Sequence, residues 1–137
     1  MRISTKGRYA LRTLADIASQ QTTTPVSFQS IAHRQGISQK YLWQIITPLK
    51  EAGLLDVVRG VNGGCVLTRD PRTLTVRDIL VAAEGPIMLV PCLNGHPDCK
   101  RAPTCCARTV WSQVNDKLLA ALDEITLSTV MEGHAIP

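Results

Sequence analysis

Four of the five cysteines in this chain, Cys92, Cys99, Cys105 and Cys106, fall within fifteen residues of one another, whereas Cys65 stands alone. Thiolates are soft donors that ligate zinc, copper or iron–sulfur clusters, and they are also the side chains most open to oxidation. In a reducing compartment, clustered thiols point to metal binding or redox chemistry ahead of structural disulfides. Six residues separate Cys92 from Cys99 and five separate Cys99 from Cys105. That is too loose for the paired knuckles of a zinc ribbon but suits thiolate ligation of an iron–sulfur cluster. Spacing alone leaves both a metal site and a set of free loop thiols open. A fourth ligand would come from Cys106 or His96. Adjacent residues at a helix start point about a third of a turn apart, so Cys106 is equally readable as a packing residue. Cys65, on a strand after a turn, reads as packing, and His33 and His134 carry no ligand spacing.

A second group of residues has the chemistry of nucleic-acid contact. Gln39, Lys40, Tyr41, Trp43 and Gln44 cannot all join the apolar stripe of Leu42, Ile45 and Leu49 on the same helix, so several face outward. Amide side chains near a helix N-terminus pair with adenine edges, and Lys40, the Ser38 hydroxyl and free backbone N–H groups hold phosphates or guanine. Arg59 and Gly60 open a glycine-rich turn that runs to Gly64. An arginine at such a tip suits the negative potential of a narrow minor groove. Lys6 and Arg8 are candidates for phosphate contacts from the N-terminal side. The alternative for each residue is plain solvated surface.

The elements that must position these residues follow from periodicity. Leu11, Leu14, Ala15 and Ala18 mark a first amphipathic helix. Ser27 caps a short helix through Arg34 that buries Phe28, Ile31 and Ala32, and Gly36 ends it. Ser38 caps a longer helix with Gly53 as its stop, and Pro48 inside it predicts a bend or an early end. Two helices joined by a short glycine-containing turn form a helix-turn-helix. Leu54 to Val58 and Cys65 to Leu67 then predict a hairpin, the wing. Thr75 with Asp78 predicts a capped helix over Val76, Ile79, Leu80 and Ala83. Residues 85–103 have no sustained periodicity and read as a long functional loop. Beyond them, Val110, Trp111, Val114, Leu118, Ala121, Leu122 and Ile125 follow a roughly seven-residue pattern that wants a partner helix.

The fold class expected is therefore mainly α with a small β-hairpin: a winged helix-turn-helix domain over residues 1–84, a cysteine-bearing sensor loop over 85–103, and a dimerisation helix with a C-terminal tail over 104–137. At 137 residues, with 45% apolar and 19% charged side chains, the chain can bury one core. Residues 1–60 carry eight Lys or Arg against three Asp or Glu, a net +5, and residues 61–137 carry seven against eight, a net −1. The surface for a polyanion is N-terminal. No apolar run approaches a membrane span and residues 1–19 do not form a secretory segment, so the expected location is the cytoplasm with no membrane partner. No nucleophile–base pair or phosphate cradle emerges, which argues against an enzyme.

Three stretches together resemble the IscR-like iron–sulfur cluster regulators of the winged-helix class. These are Met1-Arg2-Ile3-Ser4-Thr5-Lys6-Gly7-Arg8-Tyr9-Ala10, then Gln35-Gly36-Ile37-Ser38 with Tyr41-Leu42, and Val58-Arg59-Gly60 leading to Gly63-Gly64. They occur in family order over nearly the whole chain. The resemblance implies a homodimer on double-stranded promoter DNA, with the helix over Ser38 to Gln44 in the major groove and Arg59 in the minor groove. It also implies a cluster held by Cys92, Cys99 and Cys105, with [2Fe–2S] favoured and [4Fe–4S] second, controlling iron–sulfur assembly or stress genes. The chain departs from that pattern three residues after the third cysteine, where Arg108 replaces the family's histidine. NsrR-like relatives draw a carboxylate from the N-terminal region, and here Arg8 closes that route. Two rivals remain: a cluster-free thiol-switch regulator, and an adaptor whose winged helix binds protein.

Overall fold

The computed structural model describes residues 2–20, 24–95 and 99–134. In chain order its elements are α1 (Thr5–Ser19), α2 (Phe28–Gln35), α3 (Gln39–Glu51), β1 (Leu55–Val58), β2 (Gly64–Leu67), α4 (Val76–Glu84), α5 (Cys106–Glu124) and α6 (Leu127–His134), with short 3-10 turns at Pro91–Leu93 and Ala102–Thr104. Helices α1 to α4 each begin on a hydroxyl cap, and Thr126 caps α6 in the same way through the Thr129 N–H at 3.2 Å. Ser4, Ser27, Ser38 and Thr75 accept the backbone N–H of Gly7, Ser30, Tyr41 and Asp78 respectively. Each cap satisfies a donor that the first helical turn leaves orphaned and contributes about 1 kcal/mol. At Thr75 the cap is reciprocal, because the Asp78 carboxylate accepts the Thr75 N–H.

The apolar stripes converge on one core. Leu14 of α1, Ile31 of α2, Leu42, Ile45, Ile46 and Leu49 of α3, Leu55 of β1 and Ile79 of α4 are at most 1% exposed. The early end expected at Pro48 does not occur, and α3 continues to Glu51. Pro48 removes one amide donor, but its own carbonyl accepts Ala52 N–H at 3.0 Å and the next residue, Leu49, is fully buried. Burial of Leu49 offsets the lost bond.

The wing is an antiparallel hairpin in the register Leu55↔Leu67 to Val58↔Gly64. It gains a third edge from the segment before α2, where Val26 and Cys65 exchange both backbone hydrogen bonds at 2.9 and 2.8 Å. That approach requires glycine at the preceding position, since a Cβ on Gly64 would lie 2.1 Å from the Val26 carbonyl oxygen. Tying Val26 to Cys65 fixes the wing to the start of α2.

The C-terminal segment differs from the tail expected of it. The α5 helix stops at Glu124, Ile125 is extended, and Thr126 bridges to Thr75. Val76 N–H donates to Ile125 O, Leu127 N–H to Leu74 O and Ser128 N–H to Pro71 O, at 2.8, 2.8 and 3.0 Å. Leu127 is fully buried, and α6 packs on α1. Helix α6 thus returns to the winged-helix body, and α5 is the element that leaves it.

Candidate nucleic-acid interface and cysteine loop

On α3 the core stripe of Leu42, Ile45, Ile46 and Leu49 leaves Lys40, Trp43, Gln44 and Thr47 exposed along the opposite face, with Gln39 exposed beside them. Ser38 is exposed and committed to its cap at 3.1 Å. Tyr41 differs from its neighbours. It is half-buried and packs edge-on against Tyr9, with centroids 5.8 Å apart at 87°. Arg12 lies over the Tyr9 ring at 4.8 Å and donates to Gln35 Oε1 at 3.0 Å. Below this, the buried carboxylate of Asp16 receives Arg34 through Nε and Nη2, the shortest contact 2.6 Å, and Gln35 through Nε2 at 2.7 Å. The Tyr9–Tyr41 edge thus ties α1 to the helix that carries the candidate contacts, and the Asp16–Arg34 pair ties α2 to α1. The hydrogen bonds that Arg34 donates to Asp16 raise its pKa, with burial opposing them.

Arg59 and Gly60 are exposed at the hairpin tip, where Gly60 has φ +113°, a conformation that side chains disfavour. Val61 beside them is fully solvent-exposed. Arg8, exposed on α1, donates to Thr5 Oγ1 at 3.1 Å, and Lys6 is half-buried. The expected residues of α3, the wing tip and the start of α1 all lie in the basic N-terminal part of the chain.

The loop between α4 and α5 is pinned at three points. At its root, Glu84 Oε1 accepts both the N–H and the hydroxyl of Ser4, at 2.9 and 2.7 Å, so the loop leaves from a residue bound to the start of α1. Farther on, Leu89 N–H donates to Oδ1 of Asn115, a buried polar residue on α5, at 2.9 Å. Then Arg108 Nε donates to the carbonyl of Cys92 at 3.0 Å. Arg108 therefore acts as a backbone clamp. Sequence reasoning identified it only as a missing ligand, and it passed over Asn115, whose signal was an amide inside an otherwise apolar helix pattern.

Cys92 and Cys105 are half-buried, and Cys99 and Cys106 are exposed. Cys105 is the N-cap residue of α5, one turn from Arg108, beside a cavity of about 420 Å³ that Leu93, Arg108 and Asn115 also line. The donor chemistry, thiols on a single loop, fits an iron–sulfur cluster. Among the described residues, however, no three His, Cys, Asp or Glu side chains are gathered to hold a metal, so the loop would have to rearrange to bring Cys92, Cys99 and Cys105 together. His96 lies outside the described residues. Cys65 is wholly buried, and burial pushes its thiol up to about 12, as expected of a packing residue.

A helix-turn-helix with its second helix face free, a hairpin wing and a protruding helix define a winged-helix DNA-binding regulator. The chain belongs to the Rrf2 family, whose profile, described as an iron-dependent transcriptional regulator, matches residues 3–133. It is 34% identical over 136 residues to the transcriptional regulator IscR of Vibrio cholerae, covering 99% of this chain and 78% of that one. The structure of CymR, named the global cysteine regulator of B. subtilis, superposes with a TM-score of 0.78 at 36% identity, covering 96% of this chain and 97% of that one. IscR of T. potens superposes with a TM-score of 0.77 at 35% identity, covering 98% and 88%. The chain is a transcriptional regulator and not an enzyme. Among the described residues, no helix is long and apolar enough to cross a membrane.

Proposed function

We propose that this regulator reads promoter DNA as a cytoplasmic homodimer and takes its input from the cysteine loop, where Cys92, Cys99 and Cys105 hold an iron–sulfur cluster. The observation that carries the proposal is the three-point pinning of the loop to α1 through Glu84 and to α5 through Asn115 and Arg108. A change in the loop is thereby passed both to the DNA-reading body and to the helix that would join two such bodies. A bound cluster would supply electron exchange and oxidative lability. The chain's own residues position everything else. In this reading Gln39, Lys40 and Gln44 approach base edges and phosphates in the major groove. Ser38, Tyr41, Lys6 and Arg8 flank them, and Arg59 with Gly60 enters the minor groove. A two-fold dimer sets its recognition helices about 34–36 Å apart on a pseudo-palindrome.

Anaerobic purification followed by iron and sulfide analysis, absorption and EPR spectra tests the input. Stoichiometric iron and sulfide, lost in a Cys92→Ser variant, are expected, and the spectrum assigns the cluster type. Colourless protein without acid-labile sulfide overturns the cluster and leaves a thiol switch, which reversible loss of DNA affinity on mild oxidation would identify. For the output, Arg59→Ala is expected to weaken duplex binding and to lower the salt slope by about one. An unchanged slope removes Arg59 from the interface.

A further inference from the structure

An indole stands at the centre of the exposed face of α3. Lys40, Trp43, Gln44 and Thr47 follow one another at helical spacing on the side opposite the core, and Trp43 is 45% exposed. Its ring is stacked on Phe28, the first residue of α2, with centroids 4.3 Å apart and planes 25° from parallel. Thr47 Oγ1 donates to the Trp43 carbonyl at 2.8 Å, one turn along the same stripe. Phe28 was expected in the core and is half-buried, packing against the core cluster as well as stacking on Trp43.

An exposed tryptophan is costly on a soluble surface, and stacking fixes it in place before any partner arrives. The surrounding chemistry selects that partner. Lys40, Gln39 and Gln44 flank the indole, and the N-terminal sixty residues carry a net +5, eight basic against three acidic side chains, which complements a polyanion. Within a major groove, the apolar group that an indole edge meets is the 5-methyl of thymine, and it is the one feature there that separates thymine from every other base without a hydrogen bond.

We infer that Trp43, held by Phe28, is a specificity-determining residue that packs on thymine 5-methyl groups in the major groove. This rests on the DNA reading proposed above. Burial of one methyl is worth about a fourfold change in affinity. The discrimination belongs to Trp43 and not to the polar residues beside it, because amides and Lys40 respond to hydrogen-bonding edges that uracil and thymine share.

The probe is the duplex that the wild-type protein selects from a random-sequence pool at low salt, prepared with thymine and again with every thymine replaced by deoxyuridine. Wild-type protein is expected to bind the uracil duplex about fourfold more weakly for each methyl contacted. Trp43→Ala is expected to bind the two duplexes alike, and Trp43→Phe, which retains a ring on Phe28, to keep part of the difference. Circular dichroism confirms that both variants are folded. Equal binding of the two duplexes by wild-type protein overturns the inference, as does full discrimination by Trp43→Ala. If the wild-type protein retains no duplex from the pool, the DNA reading itself fails and the inference falls with it.

Discussion

Arg108 reaches from the first turn of α5 to the carbonyl of Cys92, sixteen residues earlier, and closes the contact through Nε at 3.0 Å. The bond covers a carbonyl in the 3-10 turn at Pro91–Leu93, whose Leu93 and Asn94 N–H groups bond back to Val90 and Pro91. A hydrogen bond from a charged donor contributes about 1.5–3 kcal/mol where it is buried, and Arg108 is only half-buried. Arg108→Ala is therefore expected to speed amide exchange at Leu93 and Asn94 by about tenfold while leaving α3 protected. Hydrogen–deuterium exchange mass spectrometry of residues 86–95 reads this directly. Unchanged exchange there would mean that the loop is held without the clamp.

Gly64 tests the link between the wing and α2. A Cβ at that position meets the Val26 carbonyl oxygen at 2.1 Å and its carbon at 2.5 Å, both backbone atoms with little room to yield. Gly64→Ala must then break the Val26–Cys65 pair or push the hairpin outward. The expected cost is about 2 kcal/mol, or roughly 7 °C in Tm for a chain of this size. The same variant is expected to weaken duplex binding, because Arg59 depends on the hairpin for its position. Wild-type stability in thermal unfolding would show that the contact relaxes freely.

The difference between what was legible and what was not follows from the range of the interaction. Ser27, Ser38 and Thr75 announced their helices because a cap acts within three residues, and the stripe of Leu42, Ile45, Ile46 and Leu49 announced its buried face because helical period is local. The hairpin was readable from Arg59 to Gly64 for the same reason. The contacts that organise the candidate site are long-range. Glu84 meets Ser4 eighty residues away, Leu89 meets Asn115, and Val26 meets Cys65, and none of these pairs has a local pattern. The apolar period of α5 ran on to Ile125 and hid the break there, since the bridge of Thr126 to Thr75 is again a tertiary event. The cysteines were visible by type, but their mutual placement was not.

Cys65 gives the chain a pH dependence of definite sign. Its thiol ionises near 9 when unperturbed, and burial raises this to about 12 in the folded state. Between those values the folded chain keeps a proton that the unfolded chain loses, so the stability contribution is fully present below pH 9 and is lost as pH rises through about 12. Urea unfolding from pH 8 to 10.5 is expected to show a falling midpoint, and Cys65→Ala, which removes the titrating group, to flatten that fall. At pH 8, iodoacetamide is expected to spare Cys65 until urea is added. Peptide mapping that finds Cys65 alkylated in the native protein would contradict its burial.

The exposed apolar face of α5 bears on assembly. Val110, Trp111 and Val114 are 53, 44 and 43% exposed, whereas the same helix turns the buried Asn115 and the half-buried Leu118, Leu119 and Leu122 toward its own chain. Three apolar side chains within two turns, one of them tryptophan, form the kind of patch that an identical helix covers well. In a two-fold interface each of them is used twice. Placing a charge at Trp111 in Trp111→Asp removes the largest anchor and leaves two carboxylates close together. Truncation of such an anchor costs about 2–4 kcal/mol, so dimer affinity is expected to fall by about 30- to 900-fold. Light scattering at micromolar concentration is expected to give twice the 14.9 kDa chain mass for the wild type and the single mass for Trp111→Asp. A dimer that survives the substitution would place the interface elsewhere than on this face of α5.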